Sequence, residues 1–166
     1  MLFRSITTNL ANLPVFSSAI SSASCTNLLD MTLHWDTTKT SEESFRGLQQ
    51  HIRDSWRLRK LKLWILVDDA EDEAPRKVRI PDGFFSSFTN VKEIHINGPC
   101  QRNKVVKRLI QVNLCDLSSL ENLQKLSVTF CHGILWDGNT CVSAGSTFPC
   151  LEEIEVTASC DINAFY

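Results

Sequence analysis

The sequence predicts an α/β solenoid: a curved parallel β-sheet on one side, with helices and loops on the convex side. Three observations predict it. A short line with spacing apolar-x-x-apolar-x-apolar occurs at Leu28-Met31-Leu33, Leu58-Leu61-Leu63, Val91-Ile94-Ile96, Leu123-Leu126-Val128 and Leu151-Ile154-Val156. The first positions of these lines are 30, 33, 32 and 28 residues apart, and periods of about 20–50 residues mark stacked architectures. Between the lines lie segments with apolar residues at helical intervals.

Each line reads as a strand. Its last two apolar positions alternate with polar ones, the period of a strand with one buried face. Phe88, Leu120 and Phe148 stand three positions ahead of Val91, Leu123 and Leu151, giving three lines the same apolar lead-in. A sixth match, Leu10-Leu13-Val15, contains Pro14, which lacks the N–H an interior strand donates. Residues 1–24 are therefore expected to be an irregular leader or a partial repeat, with Ser17–Thr26 at its end. Residues 25–166 are expected to hold about five repeats. A strand and its return segment cannot bury an apolar face alone, whereas stacked neighbours can.

Parallel strands need crossover connections. SEESFRGLQQHIRDSW, residues 41–56, supplies one as a helix: Ser41 can cap it, and Phe45, Leu48, Ile52 and Trp56 recur at helical spacing. RNKVVKRLIQV, residues 102–112, is expected to be a second helix, on Val105, Val106, Leu109 and Ile110. DLSSLENL, residues 116–123, is expected to form a short helical turn. DDAEDEAP, residues 68–75, reads as a solvated acidic loop. Gly133 to Gly145, rich in Gly, Asn, Thr and Ser, reads as a long loop.

Composition narrows the function. Hydrophobic residues make up 43% and charged residues 22%, with a formal net charge of −2. That balance lacks the basic excess of a nucleic-acid binder. The longest apolar run, LKLWILV at 61–67, contains Lys62 and is far shorter than the roughly 20 residues that cross a bilayer. It reads as a buried strand, and no membrane association is expected. Thr7, Thr8, Asn9, Asn12 and Pro14 interrupt what would be the apolar core of a signal peptide. The seven cysteines have no C-x-x-C pair, so zinc and thioredoxin-like frameworks are not indicated. They are expected to be reduced, mostly buried thiols, consistent with cytoplasmic or nuclear residence.

LENLQKLSVTFC, residues 120–131, extends its line to Cys131, eight positions after Leu123. Asp36 holds the same place after Leu28, Leu66 after Leu58, and Cys100 and Cys160 come one residue late. With the pattern L-x-x-L-x-L-x-x-N/C-x-L, the chain resembles leucine-rich repeat proteins. Its irregular, long repeats are similar to those of F-box-associated proteins and of plant intracellular immune receptors. The resemblance implies a protein–protein interaction module whose concave sheet face takes a protein partner. In the first group that role is substrate recognition for a ubiquitin ligase. In the second, the alternative, it is a sensing or autoinhibitory region. Neither an F-box segment nor a nucleotide-binding P-loop is visible, so the resemblance implies an orphan repeat region or a fragment of a larger multidomain protein.

The outward positions between the apolar residues form the expected ladder. Thr32, Lys62, His95, Ser127 and Glu155 occupy its middle slot, and His34, Trp64, Asn97, Thr129 and Thr157 the next. The candidate partner-binding residues are Arg59, Lys60, Lys62, Trp64, His95, Asn97, Glu153 and Glu155. One end is thus expected to be basic with a tryptophan, and the other acidic. No catalytic motif is present, and no cofactor or metal is expected. A cysteine- or metal-dependent enzyme using His34, His51, His95 or His132 is the outlying alternative. His34 and His95 are expected on non-adjacent strands, and Cys131 and His132 are sequence neighbours that a strand would point apart.

Overall fold

Alternation along an apolar line turns every second side chain to one dry side, and parallel neighbours in register then stack like against like. The computed structural model describes residues 5–9, 28–37, 46, 48, 57–66, 76–98, 108–130, 134–137 and 148–158. The strands are β1 (Ser5–Asn9), β2 (Asp30–Asp36), β3 (Lys60–Leu66), β4 (Arg76–Arg79), β5 (Glu93–Asn97), β6 (Arg108–Asn113), β7 (Lys125–Phe130), β8 (Ile134–Asp137) and β9 (Glu153–Ala158). Six of them form one sheet in the order β1-β2-β3-β5-β7-β9. All of its pairings are parallel.

The register runs straight through the apolar lines. Met31 pairs with Leu61, Leu61 with Ile94, Ile94 with Leu126, and Leu126 with Ile154. The junctions before the strands share a bonding scheme. The N–H groups of Arg59 and Lys60 both donate to Leu29 O, and those of Lys92 and Glu93 to Arg59 O. Gln124 and Lys125 donate to Lys92 O, and Glu152 and Glu153 to Gln124 O. The apolar lead-ins close tight turns, with Val91, Leu123 and Leu151 donating to the carbonyls of Phe88, Leu120 and Phe148.

The convex-side expectation needs correcting. β4, β6 and β8 form a second, three-stranded parallel sheet, and Val78, Ile80, Ile110 and Val112 join the first sheet's residues in one core. The helix expected over residues 102–112 is instead β6 where it is described. Ile110 and Val112 are both buried while Leu109, Gln111 and Asn113 are only partly so, a period of two that a helix cannot produce. β-Branched residues also favour the pleated surface. Likewise Ile134–Asp137, expected within a loop, forms β8. Helical structure is confined, among the described residues, to a 3-10 turn at Phe85–Ser87, the helix α1 (Leu114–Ser118), and Arg46 and Leu48. Leu48 is fully buried, as the amphipathic reading of residues 41–56 requires. Helix α1 starts two residues earlier than the turn expected at 116–123. The Asn113 side chain caps it by accepting from Cys115 N at 2.9 Å.

Two further expectations meet the structure. β1 lies in the span read as a leader or partial repeat, with Ile6 packed against the core. The cysteine reading fails at both described cysteines: Cys115 is disulfide-bonded and Cys150 is an exposed free thiol in the turn before β9. The other five cysteines, the acidic stretch 68–75 and Ser17–Thr26 lie outside the described residues.

The turn Pro81-Asp82-Gly83-Phe84 closes with Phe84 N donating to Pro81 O, and Gly83 has φ +76°, the left-handed region that glycine enters without steric cost. Behind it, the largely buried Asp116 accepts from Phe85 N at 3.2 Å. Burial pushes the Asp116 carboxyl above its ordinary range, opposed by its backbone hydrogen bonds. This contact ties α1 to the segment before β5.

The apolar interior is dry from β2 through β7. Met31, Leu33, Leu61, Leu63, Ile94, Ile96, Leu126 and Val128 are all at most 3% exposed. The fifth line departs from the expectation of a shared interior: Ile154 is 61% and Val156 50% exposed. They stand on the core-facing parity, but β9 is the last strand of the sheet, so packing reaches them from one side only.

Candidate functional site

The face of the large sheet opposite the core carries three columns of side chains, set by register. The first runs Ser5, Asp30, Lys60, Glu93, Lys125, Glu153; the second Thr7, Thr32, Lys62, His95, Ser127, Glu155; the third Asn9, His34, Trp64, Asn97, Thr129, Thr157. The second and third contain the outward slots expected from the sequence, joined by Thr7 and Asn9 from β1.

The first column alternates in charge from Asp30 to Glu153. Lys60 Nζ lies 2.6 Å from Glu93 Oε2, and Lys125 Nζ 2.6 Å from Glu153 Oε1 and 3.7 Å from Glu155 Oε2. Hydrogen bonding by Lys60 holds the Glu93 carboxyl below its ordinary range. Glu153 raises Lys125, mainly through the same kind of bond. Side by side on adjacent strands about 4.8 Å apart, such residues meet directly, and opposite signs suit cross-strand neighbours.

This column sets countercharges within the expected basic and acidic ends. Within the basic group on β3, Lys60 is paired with Glu93, whereas Arg59, which precedes the strand, donates to the neutral Asn90 O at 3.0 Å and keeps its charge. Lys62 has no ion-pair partner among the described residues. At the other end, Glu153 and Glu155 share one lysine, and Ser127 Oγ also donates to Glu155 Oε2 at 3.2 Å. Net acidic character therefore persists on β9. The alternation is present in the sequence, at the residue just before the second apolar position of each line, where Lys60 and Glu153 are candidates but their neighbours Asp30, Glu93 and Lys125 are not.

Of the candidate binding residues, Lys60, Lys62 and Trp64 share one face of β3, with His95 and Asn97 beside them on β5. Glu153 and Glu155 lie two strands further on. Trp64 is 43% exposed and stacks on His34, with ring centroids 6.3 Å apart and planes 8° from parallel. Leu66, on the same face, is also exposed. His34 and His95 sit on β2 and β5 with β3 between them. Among the described residues no group of three or more His, Cys, Asp or Glu could hold a metal ion, and no helix is long and apolar enough to cross a membrane. His51, Cys131 and His132 lie outside the described residues.

His95 carries a pH prediction. Burial lowers its pKa from the ordinary 6.5, against the raising effect of Glu93, whose Oε2 is 3.4 Å from Nε2. The folded state thus prefers the neutral ring. Its contribution to stability is present above the unfolded value of 6.5 and is lost as pH falls through the folded value. The Glu93 contribution is lost separately, as pH falls below its ordinary 4.5. Urea midpoints measured from about pH 8 to about pH 5 are expected to decline, and His95→Gln to flatten that part of the profile. An unchanged slope in the variant would assign the decline to other groups.

Comparison with known proteins yields no matching family model, no matching curated protein and no matching solved structure.

Proposed function

We propose that the chain is a protein-recognition module built as a short, irregular leucine-rich solenoid, binding its partner on the sheet face that bears Trp64. The observation that carries this reading is Trp64 itself: a large indole, nearly half exposed, stacked on His34 near the centre of a six-stranded sheet. Tryptophan so placed is a recurrent anchor of protein interfaces. Lys62, one slot along and free of any described ion pair, supplies a cation beside it. Five strands with matched apolar lines in parallel register support the solenoid part of the proposal, as does the resemblance of those lines to leucine-rich repeats. Substrate recognition of the F-box-associated kind is the form of the activity we favour.

The test is affinity capture followed by mass spectrometry, comparing the chain with a Lys62→Glu/Trp64→Ala variant. Both side chains project from the sheet, but Trp64 is more than half covered and stacked on His34, so unfolding stability is expected to fall by about 1–3 kcal/mol. Partners retained by the parent and lost by the variant are expected. Identical captured sets, with both proteins folded, would refute this site. Charge reversal at Arg59 and Lys60 is a poorer probe, because those residues already bond to Asn90 and Glu93.

A further inference from the structure

We propose that the outer edge of β9 is a strand-addition site for a basic amphipathic segment of another protein, distinct from the Trp64 patch on β3 and independent of its role. Among the described residues β9 pairs only with β7, leaving its far row of N–H and C=O groups open to a new strand. On its core-facing parity, Ile154 and Val156 are 61% and 50% exposed, whereas Leu126 and Val128, their partners on β7, are 3% and 0% exposed. A strand laid along β9 would extend the apolar layer over them.

The charge on the opposite parity selects the occupant. Glu153 and Glu155 have side chains 56% and 51% exposed and, among the described residues, share Lys125 as their one cationic partner. The first column alternates in sign up to Glu153, so the next position in it favours a cation. The complement is an extended segment in which lysine or arginine alternates with aliphatic residues. Within this chain, β3 has that pattern, Lys60-Leu61-Lys62-Leu63, but it is paired on both sides. The other terminal strand of the sheet among the described residues, β1, would set Ser5 and Thr7 against the two glutamates, without charge complementarity. A second copy is therefore the weaker match, and strand addition by a different polypeptide is the better one.

The test uses the full chain and two labelled eight-residue peptides, one alternating lysine with valine and the other glutamate with valine, followed by fluorescence anisotropy. The lysine peptide is expected to bind and the glutamate peptide not. Glu153→Lys/Glu155→Lys should weaken the lysine peptide at least about tenfold and create binding of the glutamate peptide. Ile154→Ser/Val156→Ser should weaken the lysine peptide with the glutamates intact. Lys62→Glu/Trp64→Ala should leave it unchanged, which separates this site from the Trp64 patch on β3. Equal binding of both peptides, no binding of either, or insensitivity to the β9 substitutions would overturn the proposal. So would a dimer in sedimentation that dissociates on the β9 substitutions but not on adding the lysine peptide, which would give the edge to a second copy.

Discussion

Leu126→Ala is expected to lower the unfolding free energy by about 2–5 kcal/mol. Leu126 is the second residue of β7, flanked in register by Ile94 and Ile154, and is 3% exposed. Truncation removes about three carbons from an apolar interior. Both flanking strands are fixed by ladder hydrogen bonds, so the void cannot close by a simple shift of the sheet, and the upper half of the range is the more fitting. Ile154→Ala supplies the internal comparison. It occupies the same position of the next line, in direct register, yet is 61% exposed. Its truncation should cost under about 1 kcal/mol. Urea unfolding of the two variants tests the pair. Equal losses would mean that β9 is packed as deeply as β7 in solution, and would remove the apolar part of the argument for strand addition at that edge.

The contrast between these two residues shows where sequence reading reaches its limit. The spacing Leu123-Leu126-Val128 recurs as Leu151-Ile154-Val156, and spacing determines which side of a strand a residue takes. It does not determine whether anything covers that side. Register was legible because each line marks its own second position, and Met31, Leu61, Ile94, Leu126 and Ile154 fall into one row. The second sheet was not. RLIQVN at β6 and ILWD at β8 are too short and mixed for period alone to separate strand from helix. β1 was hidden for another reason: in SITTN the core-facing positions are Ile6 and Thr8, and Thr8, though only 7% exposed, is polar. The contact of Asp116 with Phe85 N spans 31 residues and leaves no local signature. On the outward face, the exposure of Trp64 follows from strand parity, whereas the pairing of Lys60 depends on Glu93 one strand away.

Gly98→Ala is expected to destabilise the chain by about 1–3 kcal/mol, the usual range for an overfilled core. Gly98 is buried just after β5, where the chain leaves the large sheet, and its N–H donates to Thr129 O at 2.7 Å. A Cβ built there would lie 2.3 Å from Ile110 Cδ1 and 3.2 Å from Thr129 O. Two effects oppose one another. Alanine restricts the unfolded chain more than glycine, which stabilises by about 0.4–1 kcal/mol where the native backbone accepts it. Against this, the close approach requires Ile110 to move, and Ile110 is itself 1% exposed within the core shared by the two sheets. The methyl terminus alone could swing aside in open space, but in a filled interior it has to displace its neighbours, so steric cost outweighs the entropic gain. The mechanism has its own check. Ile110→Val deletes Cδ1 and by itself should cost about 0.5–1.5 kcal/mol. If the Cδ1 contact is the cause, Gly98→Ala/Ile110→Val will be more stable than the sum of the single losses by at least about 0.5 kcal/mol in a double-mutant cycle. Strict additivity would move the cost to the Thr129 carbonyl, and with it the link from β5 to β7 rather than the packing of one sheet on the other.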